Sequence, residues 1–317
     1  MSGFFSDFLL AANQHARTLL AASVFLGILL PSLADWLRPL LPLVVIGTLT
    51  GALLRLDWSL LAAYLRRPGV ATIPTLSQLL VSPLLIWGLV SLMPLQQELG
   101  IALVLQAAAP PIGSAAVFAM LLGIDASLSL VLTVGATLLL PLSLTPLVAA
   151  LAATTVAGAG LNIDLLAFFA RVSVMVLAPF AIAAVLRRFL GEQVSQRHDA
   201  LIGALNVLLL MIFAIAVMQG VRARLVSEPE FVGLLFLLAC VMAVLLHLMG
   251  YWILLSWGRG AAVNAAVCSG NRNMGLMLAV TAGSAGETFS LYVGVAQIPM
   301  YFAPLIIAWV LRRLPAT

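Results

Sequence analysis

The sequence predicts an all-α membrane protein of ten transmembrane helices, arranged as an inverted repeat of five plus five. Of its 317 residues, 63% are hydrophobic and only 8% are charged, a composition that excludes a water-soluble globular domain. One span needs about 20 apolar residues, so the chain has room for about ten helices with short connections. A small-residue stretch at 153–160 separates five apolar runs from five more. Because five is odd, the second half enters the membrane from the opposite side.

Charges and glycine or proline clusters bound the apolar runs and so predict where each helix lies. The first repeat is predicted to cover 1–152, a linker 153–162 and the second repeat 163–317. The segment before the first helix is predicted to be a retained interfacial segment, because it shows no signal-peptide pattern. The predicted helices are 17–34, 38–55, 70–93, 99–122, 126–152, 163–187, 200–220, 230–256, 261–283 and 288–311.

The arginines predict the orientation of the chain in the membrane. All fifteen cationic residues are arginine. In the ten-helix arrangement ten of them fall on one side and three on the other, which is a positive-inside distribution. The sequence therefore predicts a multi-pass protein of the inner membrane with both termini in the cytoplasm. The net charge of +4 is explained by this distribution, so no nucleic-acid partner is expected.

Two of the predicted helices are interrupted at corresponding places, in the fourth span of each half. Residues 109–114 (APPIGS) contain two successive prolines, and residues 268–273 (CSGNRN) form a polar insertion in an apolar run. Gly113 precedes a P-x-x-x-x-P-L motif by 28 residues and Gly270 precedes another by 29. Paired interruptions of this kind are typical of the substrate site of a secondary transporter. The alternative is that both are simple kinks.

The interruptions supply the candidate substrate-binding residues Gly113, Ser114, Asn271, Arg272 and Asn273. Half-helices beginning at Gly113 and Gly270 are predicted to direct free N–H groups toward the midplane, an arrangement that favours an anion. No Asp or Glu lies in the interior of a predicted span to pair with Arg272. Its partners are therefore predicted to be carbonyls, other dipoles or the anionic group of a ligand. A purely structural role for Arg272 is the alternative.

The chain resembles the bile acid:sodium symporter family in three segments. These are 109–117 (APPIGSAAV), 269–276 (SGNRNMGL) and 77–84 (SQLLVSPL). The resemblance implies a panel domain (17–55 plus 163–220) and a core domain (70–152 plus 230–311). It also implies that the two discontinuous helices cross in the core and that substrate is moved by alternating access.

The same resemblance implies candidate ion-binding residues, which are Gln78, Ser129, Thr133, Cys268 and Ser269. Gln78, Ser129 and Thr133 match the family pattern. Cys268 stands where the family has a glutamate, Arg272 where it has a glutamine, and Ala115-Ala116 where it has Ser-Asn. Losing a carboxylate and gaining a fixed cation weakens a sodium site. Two hypotheses therefore stay open: sodium symport, which the family resemblance favours, and a sodium-independent permease in which the Arg272 guanidinium replaces a bound cation.

The predicted function is secondary active transport of an organic anion, bile-acid-like or another carboxylate or sulfonate. No catalytic residue is predicted, because an intramembrane enzyme needs a nucleophile with its base, paired aspartates or a zinc motif, and none lies at membrane depth. His247 has no second ligand at helical spacing, so no metal site is predicted. A channel and an arsenite-type carrier are less favoured alternatives. The expected partners are the anion and membrane lipid. No cofactor is expected other than Na⁺, which the sodium-symport hypothesis requires.

Overall fold

The computed structural model describes residues 15–55, 68–154, 164–191, 194–281 and 284–313. These residues are almost entirely helical. The helices are α1 (Ala16–Leu29), α2 (Pro31–Leu37), α3 (Leu41–Leu54), α4 (Pro68–Leu76), α5 (Ser82–Ser91), α6 (Gln97–Ala108), α7 (Ala115–Leu121), α8 (Ala126–Thr154), α9 (Leu165–Leu190), α10 (Val194–Ala216), α11 (Val221–Ser227), α12 (Pro229–Ile253), α13 (Arg259–Gly270), α14 (Met274–Thr281) and α15 (Gly286–Arg313).

Within the described residues, seven helical stretches are long and apolar enough to cross a bilayer. They are Pro31–Leu54, Ala71–Ser91, Ala126–Thr154, Leu165–Leu190, His198–Ser227, Pro229–Ile253 and Gly286–Val310. Two shorter apolar helices, Thr18–Leu29 and Gln97–Ala108, accompany them. The chain is therefore a multi-pass membrane protein. The count of ten spans, the inverted repeat and the panel and core assignments stay predictions.

One compact unit is built from the described residues within 1–56 and 173–232. In it, α10 packs along α1, α2 and α3. The approach to α1 is close: a Cβ added at Gly27 would lie 2.7 Å from the carbonyl oxygen of Ile215, so glycine is needed there. Arg187 donates to the carbonyls of Leu53 at 3.2 Å and Leu54 at 2.8 Å, and so caps the C-terminal end of α3.

The second compact unit is built from the described residues within 57–172 and 233–317. Helix α8 packs against α4, α7 and α13, while α6 packs against α5, α14 and α15. Helices α6 and α7 come from one of the two predicted interrupted spans, and α13 and α14 come from the other. Because α7 contacts α13 and α6 contacts α14, the two interrupted spans meet inside this unit.

Several predicted boundaries differ from the structure. The first predicted helix, 17–34, ends at Leu29, and a new helix begins at Pro31, where the missing proline N–H costs nothing in the first turn. Gly270 is the last residue of α13, so Cys268 and Ser269 are helical and the break is confined to 271–273. The half-helices begin at Ala115 and Met274 rather than at Gly113 and Gly270. The segment before residue 15 and the linker from 155 onward lie outside the described residues.

Candidate substrate and ion site

The first interruption follows directly from the two prolines. Helix α6 ends at Ala108, and Ala109 adopts an extended conformation with φ −63° and ψ 143°, as expected for a residue that precedes proline. Pro110 and Pro111 have no backbone N–H, so the helical hydrogen-bond pattern stops. It resumes at Ala115. The predicted break at 109–114 is confirmed.

The second interruption pairs its backbone with the first. The N–H of Ile112 donates to the carbonyl of Asn271 at 2.8 Å, and the N–H of Asn273 donates to the carbonyl of Pro110 at 2.7 Å. Pro111 and Arg272 thereby form an isolated antiparallel β-bridge. Backbone groups that leave a helix inside a membrane need other partners. The two breaks supply these partners to each other, which keeps the interrupted helices in contact.

The Arg272 guanidinium is buried at this junction, with only 1% of the residue exposed. Its Nε donates to the carbonyl of Ser269 at 2.5 Å. Nη1 donates to the carbonyls of Ala109 at 2.8 Å and Gln78 at 3.4 Å. Nη2 donates to the Ser82 hydroxyl at 3.0 Å. These four contacts are of the carbonyl and dipole kind that the sequence predicts for Arg272, and they also fit the purely structural role given as the alternative. Contact with an anionic ligand stays a prediction.

Three of these acceptors are carbonyls that the local backbone cannot satisfy. The carbonyls of Ala109 and Ser269 belong to the ends of α6 and α13, where no following helical N–H reaches them. The Gln78 carbonyl lies in a π-helical segment, Ser77–Val81. The backbone hydrogen bond that closes this segment runs from the N–H of Ser82 to the carbonyl of Ser77. The next bond in that pattern would come from residue 83, which is a proline and has no N–H.

The environment of Arg272 is therefore suited to a cation. Two helix C-termini, which carry partial negative charge, end beside the guanidinium. Unwound carbonyls and half-helix C-termini are the groups that coordinate cations in discontinuous-helix transporters. The fixed positive charge of Arg272 lies among groups of this kind.

Gln78 and Ser269, both predicted ion-binding residues, lie next to the guanidinium. The Gln78 Nε2 donates to the Ser269 hydroxyl at 3.3 Å, and both residues are buried. The Gln78 Oε1 has no hydrogen-bond partner among the described residues. The structure therefore brings these two residues together with Arg272.

The other three predicted ion-binding residues lie in a second cluster, between α8 and α13. The Ser129 hydroxyl donates to the Asn264 Oδ1, and the Thr133 hydroxyl returns to the Ser129 carbonyl at 2.8 Å. The Cys268 thiol donates weakly to the same carbonyl at 3.7 Å. Cys268 also belongs to a buried apolar cluster that includes Ala115. The hydroxyls of this cluster are engaged within the protein.

The remaining candidate substrate residues flank the bridge. Gly113 and Ser114 are half-buried in the turn that leads into α7. The Asn273 Oδ1 accepts the N–H of Leu276 at 3.0 Å, so this side chain caps the first turn of α14. Whether these residues contact a substrate stays a prediction.

Sequence reasoning treated His247 as a lone histidine and missed its place at the site. The Asn271 Nδ2 lies 3.2 Å from the His247 Nε2, so the imidazole of α12 contacts the second break. No spacing rule links residues 24 positions apart on two helices. The signal present in the sequence was a polar residue in the long apolar run of α12, and it did not identify a partner.

Comparison with known protein families identifies a match. The model of the Sodium Bile acid symporter family is similar to residues 42–228 of the chain. The matched region includes the 77–84 and 109–117 segments, whereas the break at 271–273 lies beyond it. No individual curated protein matches the chain.

Proposed function

The chain belongs to the Sodium Bile acid symporter family, and from this premise we propose that it is a secondary transporter of an organic anion that does not need sodium at the Arg272 position. The observation that carries the proposal is the buried guanidinium, which donates to three carbonyls and one hydroxyl at the two breaks. It takes the place of a bound cation. Transport then proceeds by alternating access, as the family implies.

The occupied carbonyls and the repulsion between like charges both support this proposal. A sodium ion needs several oxygen ligands in its inner shell, and the free carbonyls at the junction are already held by N–H groups of Arg272. A second cation a few ångströms from the guanidinium would be strongly repelled where the dielectric constant is low. A permanent guanidinium therefore supplies the positive charge that an ion would otherwise bring.

The second cluster supports the same conclusion. By family resemblance a glutamate is expected at the position of Cys268. Among the described residues, the side chains that bond to Ser129 are those of Asn264, Thr133 and Cys268, and none of these is a carboxylate. Cys268 is fully buried among apolar side chains. A thiol in such surroundings is a poor replacement for a carboxylate toward a hard cation.

The substrate class follows from the same charge. Among the described residues Arg272 forms no salt bridge, and its four hydrogen bonds go to neutral acceptors. The junction therefore keeps a net positive charge that an anion would neutralise. We propose a carboxylate or sulfonate, bile-acid-like or similarly amphipathic. The arginine distribution supports placing the protein in the inner membrane with both termini cytoplasmic.

The test is uptake by proteoliposomes. Purified protein is reconstituted and loaded with unlabelled taurocholate, cholate or benzoate, and counterflow of the labelled anion is followed with sodium or with choline on both sides. We expect saturable counterflow of at least one anion that is unchanged by the exchange of sodium for choline. Collapse of counterflow in choline would overturn the sodium-independence. Counterflow that fails for every anion would overturn the substrate class.

A double variant provides the matched gain-of-function test. Cys268→Glu with Arg272→Gln introduces the two residues that the family resemblance places at these positions. We expect counterflow of the double variant to become dependent on sodium, while the wild type remains indifferent. If the double variant folds and transports equally well in choline, the guanidinium was not replacing a cation.

A further inference from the structure

His247 makes two hydrogen bonds that define its protonation state. Its Nδ1 lies 2.6 Å from the carbonyl oxygen of Ala243, and its Nε2 lies 3.2 Å from the Asn271 Nδ2. A carbonyl only accepts, so Nδ1 carries the proton. In this arrangement the Asn271 amide is held in its orientation, because the same Nδ2 donates to the Val267 carbonyl at 2.9 Å. Nε2 therefore accepts, and the imidazole is neutral.

The backbone of α13 is shaped to accept this ring. A Cβ added at Gly270 would overlap the ring atoms of His247. A Cβ added at Gly250, one turn further along α12, would lie 2.6 Å from the Ser269 hydroxyl. Two glycines thus allow α12 and the end of α13 to approach closely, which places the imidazole directly beside the second break.

Asn271 provides a second, independent observation. Asn271 is fully buried, and its Oδ1 has no hydrogen-bond partner among the described residues. Buried acceptors of this kind are uncommon and need an explanation. Adding a proton to the His247 Nε2 would set two N–H groups against each other. Rotation of the Asn271 amide would then give up the Nδ2 bond to the Val267 carbonyl and present Oδ1 to the new N–H. The Val267 carbonyl would keep the backbone N–H of Asn271, which lies 3.1 Å away.

The charge that faces His247 sets when this proton can bind. Arg272 directly follows Asn271, the residue that His247 contacts, so a buried positive charge lies close to the imidazole. Helices α5 and α13 contribute no Asp or Glu, and the Cys268 thiol is turned toward the Ser129 carbonyl. A second positive charge beside the guanidinium is unfavourable unless an anion is bound there. Proton and anion therefore favour each other's binding, and this reciprocal coupling is what a symporter needs.

We propose that His247 and Asn271 form the proton-binding site of this carrier, so that one proton moves with each organic anion. The inference rests on the proposed function, since it supplies the coupling ion of that same carrier. The proton comes from water on one side, binds to Nε2 and is released to water on the other side. The Nδ1–H bond to Ala243 is kept, and Asn271 turns with each protonation.

The test uses taurocholate, whose sulfonate stays ionised and does not carry a proton across lipid by itself. Proteoliposomes in sodium-free buffer, with the membrane potential clamped by potassium and valinomycin, enclose a pH-sensitive dye. We expect external taurocholate to acidify the lumen only when protein is present. For one proton per anion, an inward gradient of one pH unit should raise accumulation about tenfold.

Two variants assign the effect to the site. His247→Gln removes the titrating group, and Asn271→Asp places a carboxylate that holds the proton on the imidazole. We expect both to lose the tenfold response to the gradient. His198→Gln, which removes an exposed histidine from the other unit, is the matched control and should keep it. The size-exclusion profile of every variant is first compared with that of the wild type to check folding. If a variant does not fold, the dye signal of the wild type still decides whether a proton moves with the anion.

The outcomes separate the inference from the proposed function. Counterflow at equal pH without a gradient response in the wild type would overturn proton coupling and leave the anion carrier standing. A gradient response that persists in folded His247→Gln would overturn the assignment to this residue. Absence of both counterflow and gradient response in the wild type would overturn the carrier itself.

Discussion

Arg272→Ala removes one guanidinium and leaves four buried oxygens without donors. The oxygens are the carbonyls of Ser269, Ala109 and Gln78 and the hydroxyl of Ser82. Each unsatisfied buried acceptor costs about 1–3 kcal/mol. Part of this cost is offset, because the substitution also removes a charge that is expensive to bury. The cost of four unsatisfied acceptors exceeds this offset, and we expect a net loss of about 3–5 kcal/mol.

The cavity left by Arg272→Ala would be lined by carbonyl oxygens and would resemble a cation site. Sodium ions should therefore stabilise this variant but not the wild type. At a concentration 100 times the Kd, a bound ion contributes about 2.7 kcal/mol. Arg272→Met is the matched control, because it removes the same charge but fills the space with apolar atoms. It should lose stability without recovering it in sodium.

The assay is thermal unfolding of the purified protein in detergent, followed by intrinsic tryptophan fluorescence in sodium, potassium or choline chloride. We expect Arg272→Ala to unfold roughly 5–15 °C below the wild type in choline, and to regain part of that interval in sodium. The wild type should show the same Tm in all three salts. Stabilisation of the wild type by sodium, or a folded alanine variant that is indifferent to it, would refute the reasoning.

Three further substitutions test the local structure by the same Tm measurement. Gly270→Ala places a Cβ into the imidazole of His247 and should lower the free energy of unfolding by about 1–3 kcal/mol. The double variant Gly270→Ala with His247→Ala should recover part of this loss. An unchanged Tm for the single variant would contradict the close approach of the two helices. Asn273→Ala removes the cap of the Leu276 N–H and should cost about 1 kcal/mol, while Asn273→Asp should preserve the cap. Tyr292→Phe removes a buried hydroxyl that donates to Gln106 and should cost about 1–3 kcal/mol; a neutral effect would show that this bond is not maintained.

The two interruptions were predictable because each depends on local chemistry. Pro110 and Pro111 end a helix wherever they occur, since both lack an N–H and clash with the preceding turn. Asn271 and Asn273 bring polar side chains into an apolar run, where an unbroken helix would leave them facing lipid. Their extents were less predictable. Gly270 remains helical because its position against His247 is a tertiary contact, and no local rule reports it.

The first helix boundary was wrong for a similar reason. The prediction ended the first helix at residue 34, before the charged residues Asp35 and Arg38. The structure ends it at Leu29 and starts the next helix at Pro31. Asp35 and Arg38 are instead bound to Gln219, with the Gln219 Nε2 2.6 Å from the Asp35 Oδ1. A partner nearly 200 residues away allows these charges to lie on the helical stretch that begins at Pro31.

The ion-site residues were divided by the structure in a way that spacing could not predict. Ser129 and Thr133 are four residues apart on α8 and so share one helix face, and the Thr133 hydroxyl bonds to the Ser129 carbonyl. Gln78, however, pairs with Ser269 beside Arg272, whereas Ser129 pairs with Asn264. Which polar group meets which depends on how α8 and the π-helical segment pack against α13.

Composition and local sequence determined that this protein spans a membrane, that two of its apolar runs are interrupted, and that Arg272 has to be held by dipoles. These follow from the cost of exposing polar groups to lipid and from the missing N–H groups of proline, which act over a few residues. Only the tertiary structure decided that the Gln78 carbonyl faces the guanidinium and that His247 meets Asn271. Such contacts join residues far apart in the chain, and their partners are selected by helix packing rather than by any preference of the residues themselves.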